Sequence, residues 1–335
     1  MKTFNKVDKV YIKSNNTTNK IFNRYLFCLI PYILLIISYN LIWGEFKNII
    51  NLFISTLIAL AISVIIELIF NTIKKRKKNI KNILIDDKNL IISIILGLFN
   101  INSTIVITII SSIITSIIKN LQRKITISST LYGILSIIIL NYFLNNLDTP
   151  LINLSKLSYI DTFNNVVKPY GNILQYTIGT HYLSPILSLI VFIYLFSKKS
   201  IKYNIVISYI LTVILTFLSF GLLNNMNIWY LFFHITSGNL LFLIIFLGTD
   251  YSNTPTTGEG QFLYGTILGI ITSILRFIIP ELSVVITLIL GPLLLTKIIN
   301  KISFKLRYNK KYYYTLLTIS LVILIITNII INITI

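Results

Sequence analysis

From residue 24 to the C-terminus the chain alternates long apolar stretches with short polar interruptions, and the stretches lack two-residue alternation. Apolar runs at about 24–43, 49–72, 89–101, 104–118, 127–144, 183–197, 203–222, 229–248, 263–279, 282–297 and 312–333 are dominated by Ile, Leu, Val and Phe. The longer ones match what a helix needs to cross a ~30 Å hydrocarbon core. Those at 89–101 and 104–118, separated by Asn102 and Ser103, suit tilted or broken helices. Only helices and closed barrels satisfy their backbone in lipid, and a barrel needs period-two alternation. The pattern therefore predicts an all-α polytopic membrane protein with about 10–11 transmembrane helices.

The polar interruptions divide the chain. Residues 1–23 form a basic arm, 24–144 a first membrane half of about five spans, and 145–181 a loop carrying Asp148, Lys156, Asp161 and Lys168. Residues 182–297 form a second half of about five spans, 298–311 a basic loop, and 312–335 an extra C-terminal span. A formal charge of +19 would suggest nucleic acid in a soluble chain, but here membrane orientation accounts for it. Of the 29 Lys and Arg, all but Lys47, Lys156, Lys168 and Arg276 fall on one side when spans alternate. The expectation is a multi-pass protein of the cytoplasmic (inner) membrane with an N-terminus inside, residues 145–181 outside and 249–262 inside. The basic clusters add contact with anionic lipid, and no nucleic-acid partner is implied. Cys28 stands alone, so the chain builds neither a disulfide nor an iron–sulfur cluster by itself.

An internal echo suggests two related halves. Asn89 to Gly97 resembles Asn239 to Gly248, in spans that run in opposite directions. A five-plus-five inverted repeat with broken helices would put the functional site near the midplane, where the interrupted segments meet.

The most specific stretch runs from Trp229 to Phe277. It contains Thr236-Ser237-Gly238-Asn239, an apolar run to Gly248-Thr249-Asp250, the tetrad Thr254-Pro255-Thr256-Thr257, then Gly258-Glu259-Gly260, Tyr264-Gly265, Gly269 and Arg276. This hairpin resembles that of the RnfD/NqrB family, the membrane-embedded flavin subunits of Rnf-type ferredoxin:NAD and Nqr-type NADH:quinone ion-translocating oxidoreductases. Thr249-Asp250, Thr256-Thr257, Gly260, Tyr264-Gly265, Gly269 and Arg276 carry the match, and Tyr251 stands where the family has Pro. Glu67 and His234 also occupy family-like places.

The resemblance implies an RnfD-like membrane subunit of an ion-translocating electron transport complex, with the other subunits as partners and electrons carried through bound flavin. It implies FMN joined through its phosphate to Thr149. It further implies a second, non-covalent flavin near His234, Thr249, Asp250, Thr256, Thr257 and Gly260. The family's Ser-Gly-Ala-Thr-Pro-Leu is here Asn146-Leu147-Asp148-Thr149-Pro150-Leu151, which places a carboxylate beside the phosphodiester position; the alternative is an ordinary loop Thr before Pro150. Where the family has a Gly-rich Asn-Pro-Ala turn, this chain has Ile127-Ser128-Ser129-Thr130. Two other classes fit the pattern: a small-solute secondary transporter or channel, and a membrane scaffold without cofactors.

Individual residues have paired readings. Glu67 inside an apolar run is either a step in a cation or proton path or a carboxyl fastening helices. His234 either faces a cofactor or sits among aromatic rings, and Arg276 is expected to snorkel toward the outer surface. Asp250 with Thr249 binds flavin or an ion, or ends a helix, and the Thr254–Gly260 loop either receives a phosphate or makes a tight turn. No metal-ligand spacing, phosphate-binding loop, dinucleotide glycine pattern or nucleophile–base pair occurs, so no catalytic residue is assigned. Any enzyme activity would belong to a complex that contains the chain.

Overall fold

The computed structural model describes residues 18–73 except 43 and 45, 87–121 except 102, 127–145, and 183–308 except 224–227, 237–238, 252 and 280–281. Thr149, most of the 1–23 arm, the 145–181 loop beyond its first residue and the 312–333 span lie outside the described residues. Every regular element among the described residues is helical. Five are long and apolar enough to cross a membrane, and shorter apolar helices accompany them.

The first half contains α1 (Thr18–Ile42), α2 (Phe46–Ile73), α3 (Asp87–Phe99), α4 (Ile105–Leu121) and α5 (Thr130–Asn145). The second contains α6 (Pro185–Ser197), α7 (Tyr203–Leu223), α8 (Ile228–Thr236), α9 (Leu240–Phe246), α10 (Gly258–Ile278), α11 (Ser283–Leu290) and α12 (Thr296–Tyr308). The single run expected at 229–248 is thus two helices, α8 and α9. The chain turns at Asn239, which adopts a left-handed φ of 56° that asparagine tolerates better than most side chains. All seven residues of α9 are buried.

A second difference lies beyond α11. A π-helical turn over Gly291–Leu295, beginning where Pro292 lacks an N–H, carries the helix onward into α12. Residues 298–308, expected as a basic loop, are helical instead.

The helices bury the opposite of a soluble protein's stripe. Along α2 the covered face carries Ser55, Ala59, Ser63, Glu67 and Asn71, whereas Ile50, Phe53, Leu57, Ile65 and Ile69 face outward. In α4 the same sorting buries Thr108, Ser111, Ser112, Thr115 and Ser116 and exposes Ile105, Val106, Ile109, Ile113 and Ile117. Lipid tails are as apolar as leucine, so helices associate through small and hydroxyl side chains that permit close approach. Gly97 on α3 lies against Thr56 of α2, and Gly133 on α5 against Thr115 of α4.

The two halves share a set of pairings. In the first, α1 packs on α3, α2 on α3 and on α4, α4 on α5, and α3 on α5. In the second, α6 packs on α9, α7 on α8 and on α10, α10 on α11, and α9 on α11. The halves meet through the equivalent pairs α1–α6 and α5–α11, with Tyr32 of α1 hydrogen-bonded to Ser188 of α6 at 2.8 Å. This correspondence sets α3 opposite the α8–α9 break, with both interrupted segments in the interior.

Candidate functional site

The chain from α9 to α10 is held from several directions. Thr249 is fully buried; its hydroxyl donates to the Ile245 carbonyl at 2.7 Å and lies 3.3 Å from the Tyr25 hydroxyl of α1. The Asp250 carboxylate accepts the backbone N–H groups of Ile127 and Ser128 at 2.9 and 3.1 Å. These N–H groups precede α5, so an acid from the second half caps a helix of the first, where the amide donors lack intrahelical partners. Asn253 extends the joint by donating to the Ser128 hydroxyl at 2.8 Å.

Lys202, just before α7, supports the other side of the turn. Its Nζ donates to Thr254 Oγ1 at 2.7 Å and lies 3.1 to 3.2 Å from the carbonyl oxygens of Thr254, Pro255 and Tyr251. It also sits 5.3 Å from the centre of the Tyr251 ring. Burial pushes the Lys202 ammonium down to about 8, against the pull of Asp250. Burial also pushes the Tyr251 phenol up.

Thr257 begins α10 by accepting the Gly260 N–H at 3.2 Å. A glutamate three residues after a cap is the common box, and here Gly260 takes that position because of α12. A β-carbon at Gly260 would sit 3.0 Å from Ser303 Cβ and 2.7 Å from Thr257 Oγ1. Asn300 of α12 accepts the Thr256 N–H at 3.2 Å. Thr249, Asp250, Thr256, Thr257 and Gly260 are therefore brought together.

His234 is elsewhere. It lies on α8 beside Arg276, and the 19 residue steps from Thr257 to Arg276 put about 28 Å of helix between the two places. The imidazole stacks on Phe217 with ring centres 4.0 Å apart, and Tyr230 meets it edge-on at 4.4 Å. Arg276, expected to snorkel, is only 2% exposed and donates to the His234 backbone carbonyl. The His234 carbonyl lies in the last turn of α8, where helix carbonyls lack intrahelical donors, and so is available to the guanidinium.

Glu67 forms a third cluster with residues of α3 and α4. Its carboxylate lies 3.0 Å from Lys119 Nζ and accepts from Asn89 Nδ2 at 3.1 Å; Lys119 also donates to the Asn89 side-chain oxygen. Three helices, α2, α3 and α4, meet at this one buried group. Lys202, Lys119 and Asn253 are not singled out by the sequence, and Asn89 enters there only as the first residue of the internal echo. The two lysines count there only as orienting cations, and Asn253 carries no spacing signal of its own.

Contacts also gather the polar segments at one end of the bundle. Arg24 donates to the Lys198 carbonyl and the Ser200 hydroxyl at 2.9 and 2.7 Å, Lys88 lies over the Phe22 ring, and Tyr25 reaches Thr249. Together with the Asp250 joint, these contacts group the starts of α1, α3 and α5, the α6–α7 turn and the hairpin. The charge rule places those same segments on one side.

The hairpin groups assigned by resemblance to a non-covalent flavin are engaged by the chain itself. Asp250 serves two backbone amides, Thr257 caps its own helix, Thr249 bridges α9 to α1, and Gly260 faces Ser303. These hydrogen bonds tie the hairpin groups to one another and to α1, α5 and α12, and His234 lies apart from them.

A family model described as the NQR2, RnfD, RnfE family matches residues 142–303, just under half of the chain. No curated protein matches it.

Proposed function

The chain is an RnfD/NqrB-like family member, and from that premise we propose that it carries electrons within the membrane arm of a multi-subunit, ion-translocating complex. The family supports a membrane subunit of an ion-translocating electron transport complex, and with it protein partners in general. The finer reading adds FMN held covalently at Thr149, on the loop after α5. A flavin bound there would supply one- and two-electron chemistry, while the protein sets its position and surroundings.

The observation that best supports this reading is the hairpin joint. The residues that carry the family likeness, Thr249 and Asp250, tie the second half to α1 and to the start of α5. The same helix α5 ends at Asn145, where the Thr149 loop begins. The family-like residues of the hairpin thus brace the element that leads into the cofactor loop.

An ion path through Glu67 would require its pairing with Lys119 to open. Translocated Na⁺ or H⁺ would then compete with the ammonium for the carboxylate.

The test is to purify the chain from its own membrane by an affinity tag and reconstitute whatever accompanies it into sealed vesicles. Partner subunits and donor-driven uptake of Na⁺ or H⁺, abolished when this chain is omitted, are expected. Solute uptake by the chain alone, without partners or an electron donor, would replace this reading with that of a secondary transporter.

A further inference from the structure

We propose that oxygens of Tyr251, Thr254 and Pro255 form a monovalent-cation cage whose resident occupant is the ammonium of Lys202, so that Lys202 and a free cation of similar size compete for it. The inference does not depend on the proposed redox role.

Four oxygens surround Nζ: Thr254 Oγ1 at 2.7 Å, Thr254 O and Pro255 O at 3.1 Å, and Tyr251 O at 3.2 Å. An ammonium has three N–H donors, so four acceptors exceed what directional hydrogen bonds can use. The shell is better described as oxygen dipoles converging on a point charge, the arrangement with which carbonyl rings replace the hydration shell of K⁺. The Tyr251 ring, 5.3 Å away, adds a negatively polarised face to this shell.

The turn is prepared for a cation by its other contacts. Thr254 Oγ1 gives its proton to the Asp250 carbonyl at 2.7 Å, which leaves its lone pairs for the cage. Gln261 donates to the Pro255 carbonyl at 3.3 Å and fixes its direction. Thr254 and Pro255 are buried, so the oxygens are partly stripped of water before a cation arrives. No carboxylate oxygen is among the four, and small divalent ions prefer hard anionic ligands at 2.0–2.6 Å, so the cage favours a large monovalent ion.

Competition has a clear pH window. Among the described residues, the ionisable groups of the surrounding elements include Arg24 and Tyr25 on α1, Lys198 and Lys199 in the turn before α7, Tyr203 at the start of α7, Asp250 and Tyr251 in the hairpin, Glu259 and Tyr264 on α10, and Lys297 and Lys301 on α12. With the Lys202 ammonium shifted to about 8, the folded protein sheds this proton before the unfolded chain does. Above that pH the tethered occupant is neutral, and a free cation meets less competition.

The experiment measures thermal unfolding of the purified full-length chain in detergent, at equal ionic strength, in KCl, NH₄Cl, NaCl or choline chloride. Lys202→Met removes the occupant. Its midpoint in choline should fall below that of wild type by several degrees, and KCl and NH₄Cl should restore at least half of the loss, NaCl less. The wild type at pH 7 should not distinguish the salts. Should Lys202→Met fail to fold, wild-type protein at pH 9.5 provides the second measurement. Hydrogen exchange at residues 251–257 should then be slowed at least two-fold by K⁺ relative to choline, and this difference should vanish at pH 7. Equal behaviour in KCl and choline, in either the variant or the wild type at pH 9.5, overturns the proposal and leaves Lys202 as a simple hydrogen-bonding anchor.

Discussion

Replacing Gly265 by Ala tests how closely α7 and α10 must approach. A β-carbon there would lie 1.9 Å from Ser208 Oγ, 2.5 Å from the Ile205 carbonyl oxygen and 3.1 Å from the Tyr209 nitrogen, whereas ordinary contact begins at 3.4 Å. The serine hydroxyl can rotate, but the Ile205 oxygen belongs to the α7 backbone and moves only with the helix. Relieving that contact means separating the helices locally by roughly 1 Å, and such overpacking costs typically about 1–3 kcal/mol. Gly269 provides an internal control. Its added β-carbon would meet Thr212 Oγ1 at 1.8 Å and Thr212 Cβ at 2.9 Å, with the Tyr209 carbonyl at 3.0 Å. Thr212→Gly removes both severe contacts. Thermal unfolding in detergent should therefore show Gly265→Ala lowering the midpoint by several degrees with no rescue from Ser208→Ala. Gly269→Ala should be substantially rescued by Thr212→Gly. If both alanine variants unfold like wild type, or if Ser208→Ala rescues the first fully, the helices do not pack on a glycine seam and the reasoning fails.

Asp250→Ala should leave the Ile127 and Ser128 amides without their acceptor, at about 1–3 kcal/mol for buried donors. Faster hydrogen exchange at residues 127–130, with little change in α7, would locate the loss; uniform or absent change would contradict the joint. Glu67→Gln and Lys119→Met should each destabilise by about 3–5 kcal/mol because each strands a buried charge, whereas the double variant should cost less than either. Additive losses would show that the two charges do not depend on each other. The Lys202 shift sets a pH trend as well: between about 8 and the ordinary lysine range the unfolded chain holds more protons, so stability gains an increment as pH rises. Lys202→Met should lack it in a pH series of melting curves, and an identical slope in both proteins would refute the assignment.

The spans are legible in the sequence because a soluble fold has no use for apolar runs of that length, and the break near Asn239 is marked by small and hydroxyl residues between two apolar stretches. The repeat can be suspected from Asn89–Gly97 and Asn239–Gly248, but the pairings shared by the halves emerge only when helices distant in sequence are placed side by side. Lys202 shows why the site itself is less legible. In sequence it is one of several cations at the end of a span, and its four oxygen partners lie some fifty residues away. Arg276 misleads for a related reason: its place near a helix end suggests an outward reach, while the carbonyl exposed by the α8–α9 break draws it inward. The continuation into α12 is hidden because its lysines read as a loop, whereas Asn300 and Ser303 give its other face a partner in the hairpin.

The redox account is tested most directly by flavin fluorescence of the purified, denatured chain separated by electrophoresis. Under ultraviolet light the account predicts a fluorescent band at the position of the wild-type chain that is lost in Thr149→Ala. A dark wild-type band from preparations in which partner subunits accompany the chain, or equal fluorescence in Thr149→Ala, would contradict a covalent flavin on this loop.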